Sequence, residues 1–455
     1  MKSLPLSVIT AMSGGALIQG CPAEAVSGVG KDSRAVESGS LYVALSGENF
    51  NGHQFIKQAE EQGAVAVLVS ELTASSEQLS GGVIHVKDTL SAMQELARNY
   101  RKSLSDFQVV AVTGSNGKTS TKDFITSILK LTGGVSATLG NLNNHIGLPL
   151  TILSTDEDDR VGVWEMGMSH PGEIEVLAEI AGPDIGVITN IGVAHLEHMG
   201  SREAIALEKG MLAESLPQDG WLIMPEQDEF TSGIAARTRA KLLTVGIDCG
   251  DLQAQDLIES AAGTQFKIVD NVGAVIEVEI SVPGRHMVVN ALLAAAVAKV
   301  MQVDESLVAK GLSSTQLTSG RLQQRQINGL DILDDSYNAN PDSMAAALQT
   351  LATLPCEGRR CAALGVMAEL GDQAATEHSA LATEVAEAGV ELLVTVGELP
   401  GLIGEGLQGK IEVRNFADCD QAGQFLKETL EQGDLLLVKG SRSAGMEKVI
   451  ERLKD

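Results

Sequence analysis

Two rhythms alternate along the 455 residues. Short unbroken apolar runs at 109–112, 161–164 and 185–188 read as buried parallel strands. Stretches with apolar residues three and four apart, at 123–129, 174–180 and 290–301, read as helices packed on them. The chain opens in the same way, with strand-like runs at 40–45 and 64–69 around a helical stretch at 55–62. The rhythm resumes late, with strands at 331–333, 361–364, 392–396 and 435–438. A helix over 89–100 joins the first block to the second, and a more polar, β-rich insert spans about 217–284. The pattern predicts an α/β protein of three domains. These are a small unit at 1–88, a central parallel sheet with helices on both faces at 89–317, and a C-terminal unit at 318–455.

Composition narrows the partners. With 60 acidic against 33 basic residues, the formal charge is −27, which repels nucleic acid and anionic membranes. Such acidity serves solubility or reflects a saline habitat. Any anionic ligand then needs local cations, so individual lysines and arginines in motifs gain weight. Five scattered cysteines (21, 249, 356, 361 and 419) form no C-x-x-C pair, which argues against a disulfide framework and fits a reducing cytosol. No apolar run approaches the roughly 20 residues of a membrane helix. The segment ending Gly20-Cys21 has a faint lipoprotein look but is broken by Pro5, Ser13, Gly14 and Gly15, so it reads as the first helix and turn of a cytosolic domain. Gly30-Lys31 reads as a turn.

The chemistry gathers at predicted strand ends. After the 109–112 run comes Thr113-Gly114-Ser115-Asn116-Gly117-Lys118-Thr119-Ser120, then a helix. Glycines let backbone N–H groups approach phosphate oxygens, and the helix N-terminus adds partial positive charge. Lys118 is placed for the outer phosphates and Thr119 for Mg²⁺. Val112 stands where the common G-x-x-x-x-G-K-[ST] loop has its first glycine; the plain alternative is a tight strand-to-helix turn. Five further clusters are each weak alone. Gly140-Asn141-Leu142-Asn143-Asn144 is a phosphate-competent amide loop or an Asn-rich turn. Glu165 at a strand end suits Mg²⁺ or is a solvated acid. His195, with Glu165, suits a metal site of mixed O and N ligands, whereas His195-x-x-His198 is weak evidence for zinc. Arg321 offers a phosphate-binding fork, while Asp334 to Asn340 is either part of a site or a capped turn before a helix near Asp342. Lys439-Gly440-Ser441-Arg442 brings two cations to a strand end or starts a helix. Together they indicate a nucleotide-using enzyme.

On these motifs the chain resembles the Mur ligase family, ATP-dependent enzymes that extend the peptidoglycan precursor peptide. The matching segments run from Asp32 to Arg442. Asp334-Asp335-Ser336-Tyr337-Asn338-Ala339-Asn340, Met367-Ala368-Glu369-Leu370-Gly371 and Lys439-Gly440-Ser441-Arg442 match the D-alanyl-D-alanine-adding branch best; the diaminopimelate motif D-N-P-R is missing. The resemblance implies a UDP-substrate domain, a P-loop ATPase domain and a Rossmann-like ligase domain. It also implies ADP-forming amide ligation through an acyl phosphate, with ATP and Mg²⁺, in a cytoplasmic and monomeric enzyme of cell-wall synthesis. Lys118, Glu165, His195 and Lys209 would be catalytic; Thr119, Glu165, His195 and, if carbamylated, Lys209 would serve the metal. ATP would be held by Thr113 to Ser120, Asn144, Asn290, Arg321 and Asp335. The substrates, UDP-N-acetylmuramoyl-tripeptide and D-alanyl-D-alanine, would meet Ser33, Arg34, His53, Asn338, Asn340 and Arg442. Three positions depart from the family pattern: Met287 for Asn, Val366 for an acid, and Met211 for Glu. The rivals are another ligase of the superfamily such as a folylpolyglutamate synthase, a nucleotide-driven switch that makes no bond, and an inactive scaffold.

Overall fold

The computed structural model describes residues 1–454 except 49, 75, 261 and 408. Three sheets in succession build the three-domain α/β chain. The N-terminal sheet comprises β1 (Ala16–Gln19), β2 (Gly28–Gly30), β3 (Ser40–Val43), β4 (Ala66–Val69) and β5 (Gly82–His85), in the order β1-β5-β4-β3-β2. Strands β2 to β5 pair in parallel and β1 runs antiparallel to β5. Gly30, expected in a turn, instead ends edge strand β2. The expected helix over 55–62 is split into a 3-10 turn, Gly52–Phe55, and an α-helix, Ile56–Glu61. Asn51 starts the turn by accepting from the His53 N–H.

Helix α1 (Thr89–Ser103), capped by the Asp88 carboxylate on Ser91 N at 2.7 Å, leads into the central domain. There the strands are β6 (Gln108–Thr113), β7 (Gly134–Ala137), β8 (Asp159–Glu165), β9 (Ile185–Ile188), β10 (Trp221–Pro225), β11 (Lys241–Ile247), β12 (Leu252–Ser260), β13 (Gly263–Asp270) and β14 (Val275–Ile280). Their order is β7-β8-β6-β9-β10-β11-β12-β13-β14. The sheet is mixed, not purely parallel: β12, β13 and β14 pair antiparallel. Nor is 217–284 a separate insert, because β10 and β11 continue the parallel sheet beside β9. The misreading has a physical source. Burial in β12 alternates residue by residue toward its end, so a one-sided strand looks polar in sequence. Helix α2 (Lys118–Leu129) follows β6, α3 (Glu173–Ala181) precedes β9, the short α4 (Leu196–Met199) follows it, and α5 (Arg285–Val300), apolar nearly all round, is buried behind the sheet.

The C-terminal sheet contains β15 (Gln323–Ile327), β16 (Leu330–Asp335), β17 (Arg360–Leu364), β18 (Leu392–Val396), β19 (Glu412–Phe416) and β20 (Leu435–Lys439), in the order β15-β16-β20-β17-β18-β19. All pair in parallel except β15 with β16. Helix α6 (Pro341–Thr353) follows β16. Asn340 caps it through a capping box with Ser343, with proline in the first turn, so the expected helix start lies one residue before Asp342. Among the described residues, no helix is long and apolar enough to cross a membrane.

Candidate active site

Segments following β6, β9 and β16, with the end of β20, line one cavity of about 420 Å³ between the central and C-terminal domains. Open α/β sheets place ligands outside the carboxyl ends of their strands, and here two sheets direct those ends at one space. The loop after β6 forms its floor. Gly114 (φ 146°) and Gly117 (φ 78°) take conformations that side chains disfavour. Space excludes them too: a Cβ on Gly114 would lie 1.8 Å from the Thr189 hydroxyl, and one on Gly117 would lie 2.5 Å from the Asn290 amide. The loop is braced by the segment after β9. Ser115 N donates to Asn190 O at 3.0 Å, Asn116 N to Asn190 Oδ1 at 3.0 Å, and Ser115 Oγ to Gly192 O at 3.0 Å. No side chain caps α2, so its first amides stay available to an anion.

Lys118 folds over this loop, its Nζ donating to the carbonyls of Gly114 (2.8 Å) and Ser115 (3.2 Å). Burial lowers its pKa, with Glu165 opposing and Arg321 adding to the shift. Thr119 Oγ1 donates to Glu165 Oε2 at 2.9 Å. Glu165 ends β8, only 3% exposed, and is fixed from its other oxygen by Asn143 Nδ2 at 2.8 Å. From the C-terminal domain, Arg321 NH2 reaches Thr119 Oγ1 at 3.3 Å. Its guanidinium lies over the Tyr337 ring, 4.2 Å from the centroid.

Strand alternation sorts the paired acids of β16. Asp335 faces the cavity, accepting from Lys439 Nζ and from Leu322 N at 3.1 Å. Asp334 faces the other way, against Arg325 and Ser336, lining a second cavity of about 530 Å³ with Gly140, Asn141, Tyr337 and Arg442. Lys439 is fully buried, also donating to Asn338 O at 2.9 Å, and burial lowers its pKa. Asn143 carries no site role in the sequence reading, and Lys439 appears there only as one of two cations at a strand end. Asn144, the expected nucleotide contact, is exposed and caps the next helix through Ile146 N and Gly147 N. The signal for Asn143 was its place opposite a strand-end acid, which only the fold brings together.

Asn290 is buried beneath Gly117, and its amide donates to Met287 Sδ at 3.5 Å. The Met287 departure thus supplies a soft acceptor to a residue of the site. Met211 accepts from Arg237 through its sulfur, and Val366 O accepts from Ser441 N, so these departures are absorbed by packing and backbone bonds. His286 lines the same cavity, and desolvation pushes its pKa down to about 4. It therefore stays neutral in the fold while an unfolded histidine protonates near 6.5. Between those values the unfolded chain binds more protons, so stability falls as pH drops from 6.5 toward 4, by on the order of 3 kcal/mol. Urea midpoints for His286→Gln should show a flatter acid limb over that range.

Lys209 is 1% exposed, and its side chain makes no hydrogen bond or ion pair among the described residues. Burial and then the nearby Lys118 hold its pKa well below the usual lysine value. The adjacent Glu208 is spent elsewhere, accepting from Gly172 N and Ile174 N at the start of α3. His195 takes a left-handed conformation (φ 58°) and its Nδ1 bonds Glu369, which comes from the C-terminal domain. That bond, ahead of burial, lowers the Glu369 pKa.

The remaining predicted residues lie apart or are internally engaged. Asn340 spends Oδ1 on the α6 cap and gives Nδ2 to Asn116 Oδ1 at 2.8 Å, tying the C-terminal domain to the phosphate loop. Arg442 is exposed, pairs with Glu447 at 3.0 Å and lies 5.9 Å from the Tyr337 centroid. Ser33 donates to Gln58 at 2.8 Å. His53 is buried, accepting Ser70 N at Nε2. Arg34 pairs with Asp32 at 2.7 Å but is exposed, the freest of the three N-terminal residues.

A braced Gly-rich loop opening a helix, a strand-end carboxylate on its threonine, and an arginine reaching over from a third domain define a P-loop ligase architecture. Three domain models match in succession, the Mur ligase family catalytic domain at 25–101, the Mur ligase middle domain at 112–298 and the Mur ligase glutamate ligase domain at 320–442. The chain belongs to the Mur ligase family. It is 38% identical over 434 residues to the UDP-N-acetylmuramoyl-tripeptide--D-alanyl-D-alanine ligase of Bacillus subtilis, covering 94% of this chain and 93% of that one. It is 36% identical to the protein of that name in Escherichia coli, covering 100% and 99%. The fold superposes on MurF from Acinetobacter baumannii with a TM-score of 0.92 at 30% identity, over 100% of this chain and 99% of that one. MurF ligase from Thermotoga maritima in complex with ADP gives 0.83 at 28% identity, over 94% and 97%.

Proposed function

We infer that this chain joins D-alanyl-D-alanine to UDP-N-acetylmuramoyl-tripeptide at the expense of ATP. The carrying observation is the Thr119–Glu165–Arg321 contact, which joins the phosphate loop to the ligase domain where a γ-phosphoryl group would transfer. Full-length likeness to ligases of that name supports the choice of substrates. In this reading a carboxylate of the tripeptide attacks the γ-phosphorus, ADP leaves, and the dipeptide amine displaces phosphate from the acyl phosphate. The loop amides and Lys118 bind and orient the phosphates, and Arg321 offsets charge on the transferring group. Thr119 and Glu165 are hard oxygen donors in contact, a set that fits Mg²⁺ completed by water and phosphate oxygens. Bound there, the ion would neutralise charge on the phosphoryl oxygens. His195 is assigned to the same metal side. Asp335 and Lys439, with His286 and Asn290, would line the nucleoside end. Ser33, Arg34 and His53 on the first domain are assigned to the UDP end, and Asn338, Asn340 and Arg442 to the peptide end. The domain limits are taken at 88 and 317.

Lys209 fits a carbamate. A buried amine with no acid partner and a depressed pKa has a larger neutral fraction than an ordinary lysine, and the neutral amine is the form nucleophilic toward CO₂. Addition forms the N–C bond and releases one proton. The product is an anion beside Lys118, relieving the repulsion that lowers the pKa of Lys209. A monomer in the cytoplasm completes the reading.

The test is phosphate release from ATP with the tripeptide nucleotide and D-alanyl-D-alanine added singly and together. Release only with both, matched by pentapeptide product, is expected. Release from ATP alone, unchanged by either, would move the chain to a nucleotide-driven switch.

A further inference from the structure

Beside the contacts of Arg321 and Asn340 with the phosphate loop, the segment after β9 meets the C-terminal domain at two places. Asp342, in the first turn of α6, accepts from Val193 N at 2.6 Å. The approach needs glycine beside it, since a Cβ on Gly192 would lie 2.1 Å from the Asp342 carboxylate. Two and four residues after Val193, the segment meets the C-terminal domain again. Glu369 O accepts from Glu197 N at 3.1 Å while its carboxylate bonds His195 Nδ1. A Cβ on Gly371 would sit 3.4 Å from the Glu197 side chain, so the two segments are in van der Waals contact here. Both Glu369 (φ 62°) and His195 (φ 58°) hold left-handed conformations that non-glycine residues rarely take. Such backbone persists where surrounding contacts over-determine it, and it clusters at functional sites.

The bond fixes more than contact. A carboxylate accepting from Nδ1 places a proton there, so in the neutral ring Nε2 is the lone-pair nitrogen, and Nε2 has no partner among the described residues. Histidines that bind metal are commonly held this way, the second nitrogen donating to a carboxylate that sets tautomer and ring orientation. Here that carboxylate belongs to a different domain from the histidine.

We propose that Glu369 is a positioning residue for His195, presenting Nε2 to the metal side only while the C-terminal domain is docked through Asp342 on the loop after β9. The inference rests on the assignment of His195 to the metal side. It gives domain docking a chemical consequence: the histidine is set in the same movement that brings Arg321 to Thr119.

The test uses the full chain with ¹⁵N-labelled histidine, without nucleotide, and long-range ¹H–¹⁵N correlations to read the His195 tautomer, assigned by loss of its signals in His195→Gln. The wild type is expected to be Nδ1-protonated. Glu369→Ala should move His195 toward the Nε2-protonated form, Glu369→Gln should restore part of the wild-type pattern, and Asp342→Ala should shift the same signals in the same direction. Mn²⁺ titrated in the presence of a non-hydrolysable ATP analogue should bind at least about tenfold more weakly to Glu369→Ala. An Nε2-protonated wild type, an unmoved tautomer in Glu369→Ala, or Mn²⁺ affinity within twofold of wild type would overturn the proposal. An unmoved His195 in Asp342→Ala would overturn its dependence on docking. Pentapeptide formation by the wild type, measured separately, tells failure of this proposal from failure of the ligase reading.

Discussion

Lys118→Ala should reduce kcat/KM for ATP by at least about 10³-fold, roughly 4 kcal/mol of lost transition-state stabilisation. The lysine is the one cation rising from the phosphate loop itself, held over Gly114 and Ser115 by two carbonyl bonds. Arg321 approaches from the other domain and touches Thr119, so it cannot reproduce the same direction of approach. Stability should change little, because the substitution removes a half-buried, poorly solvated cation along with its two carbonyl bonds. Steady-state kinetics of pentapeptide formation, alongside a thermal melt, check both halves. Activity within tenfold of wild type would remove Lys118 from phosphoryl transfer.

Lys209→Met should lose at least about 100-fold in turnover while holding or raising stability. The two effects pull apart for a physical reason. Lys209 is fully buried, without a bonding partner among the described residues, in a place that disfavours its ammonium form. Methionine of similar shape removes that desolvation penalty. The sign follows from linkage. The folded chain binds fewer protons at Lys209 than the unfolded chain, so this residue withdraws stability as pH falls below the unfolded lysine value near 10.4. Urea midpoints of wild type and Lys209→Met from pH 7 to 9.5 should therefore converge as pH rises. If carbamylation supplies the function, wild-type activity should also fall in CO₂-depleted buffer and return with bicarbonate. A methionine variant both unstable and active would make Lys209 a packing residue.

The two variants separate the roles by what each residue contacts. In the proposed reading Lys118 acts by reaching out to an anion, and Lys209 by being converted into one. Their mutual repulsion, visible as a lowered pKa at Lys209, is what a carbamate would turn into attraction.

Much of this was written in local sequence. The phosphate loop is legible because its chemistry is contiguous: an apolar strand, two glycines in conformations side chains disfavour, then lysine and threonine opening a helix. Strand ends carrying Glu165, Asp335 and Lys439 are legible for the same reason, since short apolar runs stop at charged residues. The three-domain α/β organisation follows from the alternation of such runs with helical spacing. Tertiary structure alone decided the rest. Whether Asn143 or Asn144 serves the acid depends on which amide faces Glu165 across the sheet, and periodicity carries no such information. The antiparallel extension β12 to β14 looked like a polar insert because a strand covered on one face hides half its burial from composition. The contacts of Asn340 with Asn116, Asp342 with Val193, and Glu369 with His195 join residues 149 to 224 positions apart. Separations of that size are closed only by packing two domains together, so the sequence fixes the parts and the fold fixes which of them meet.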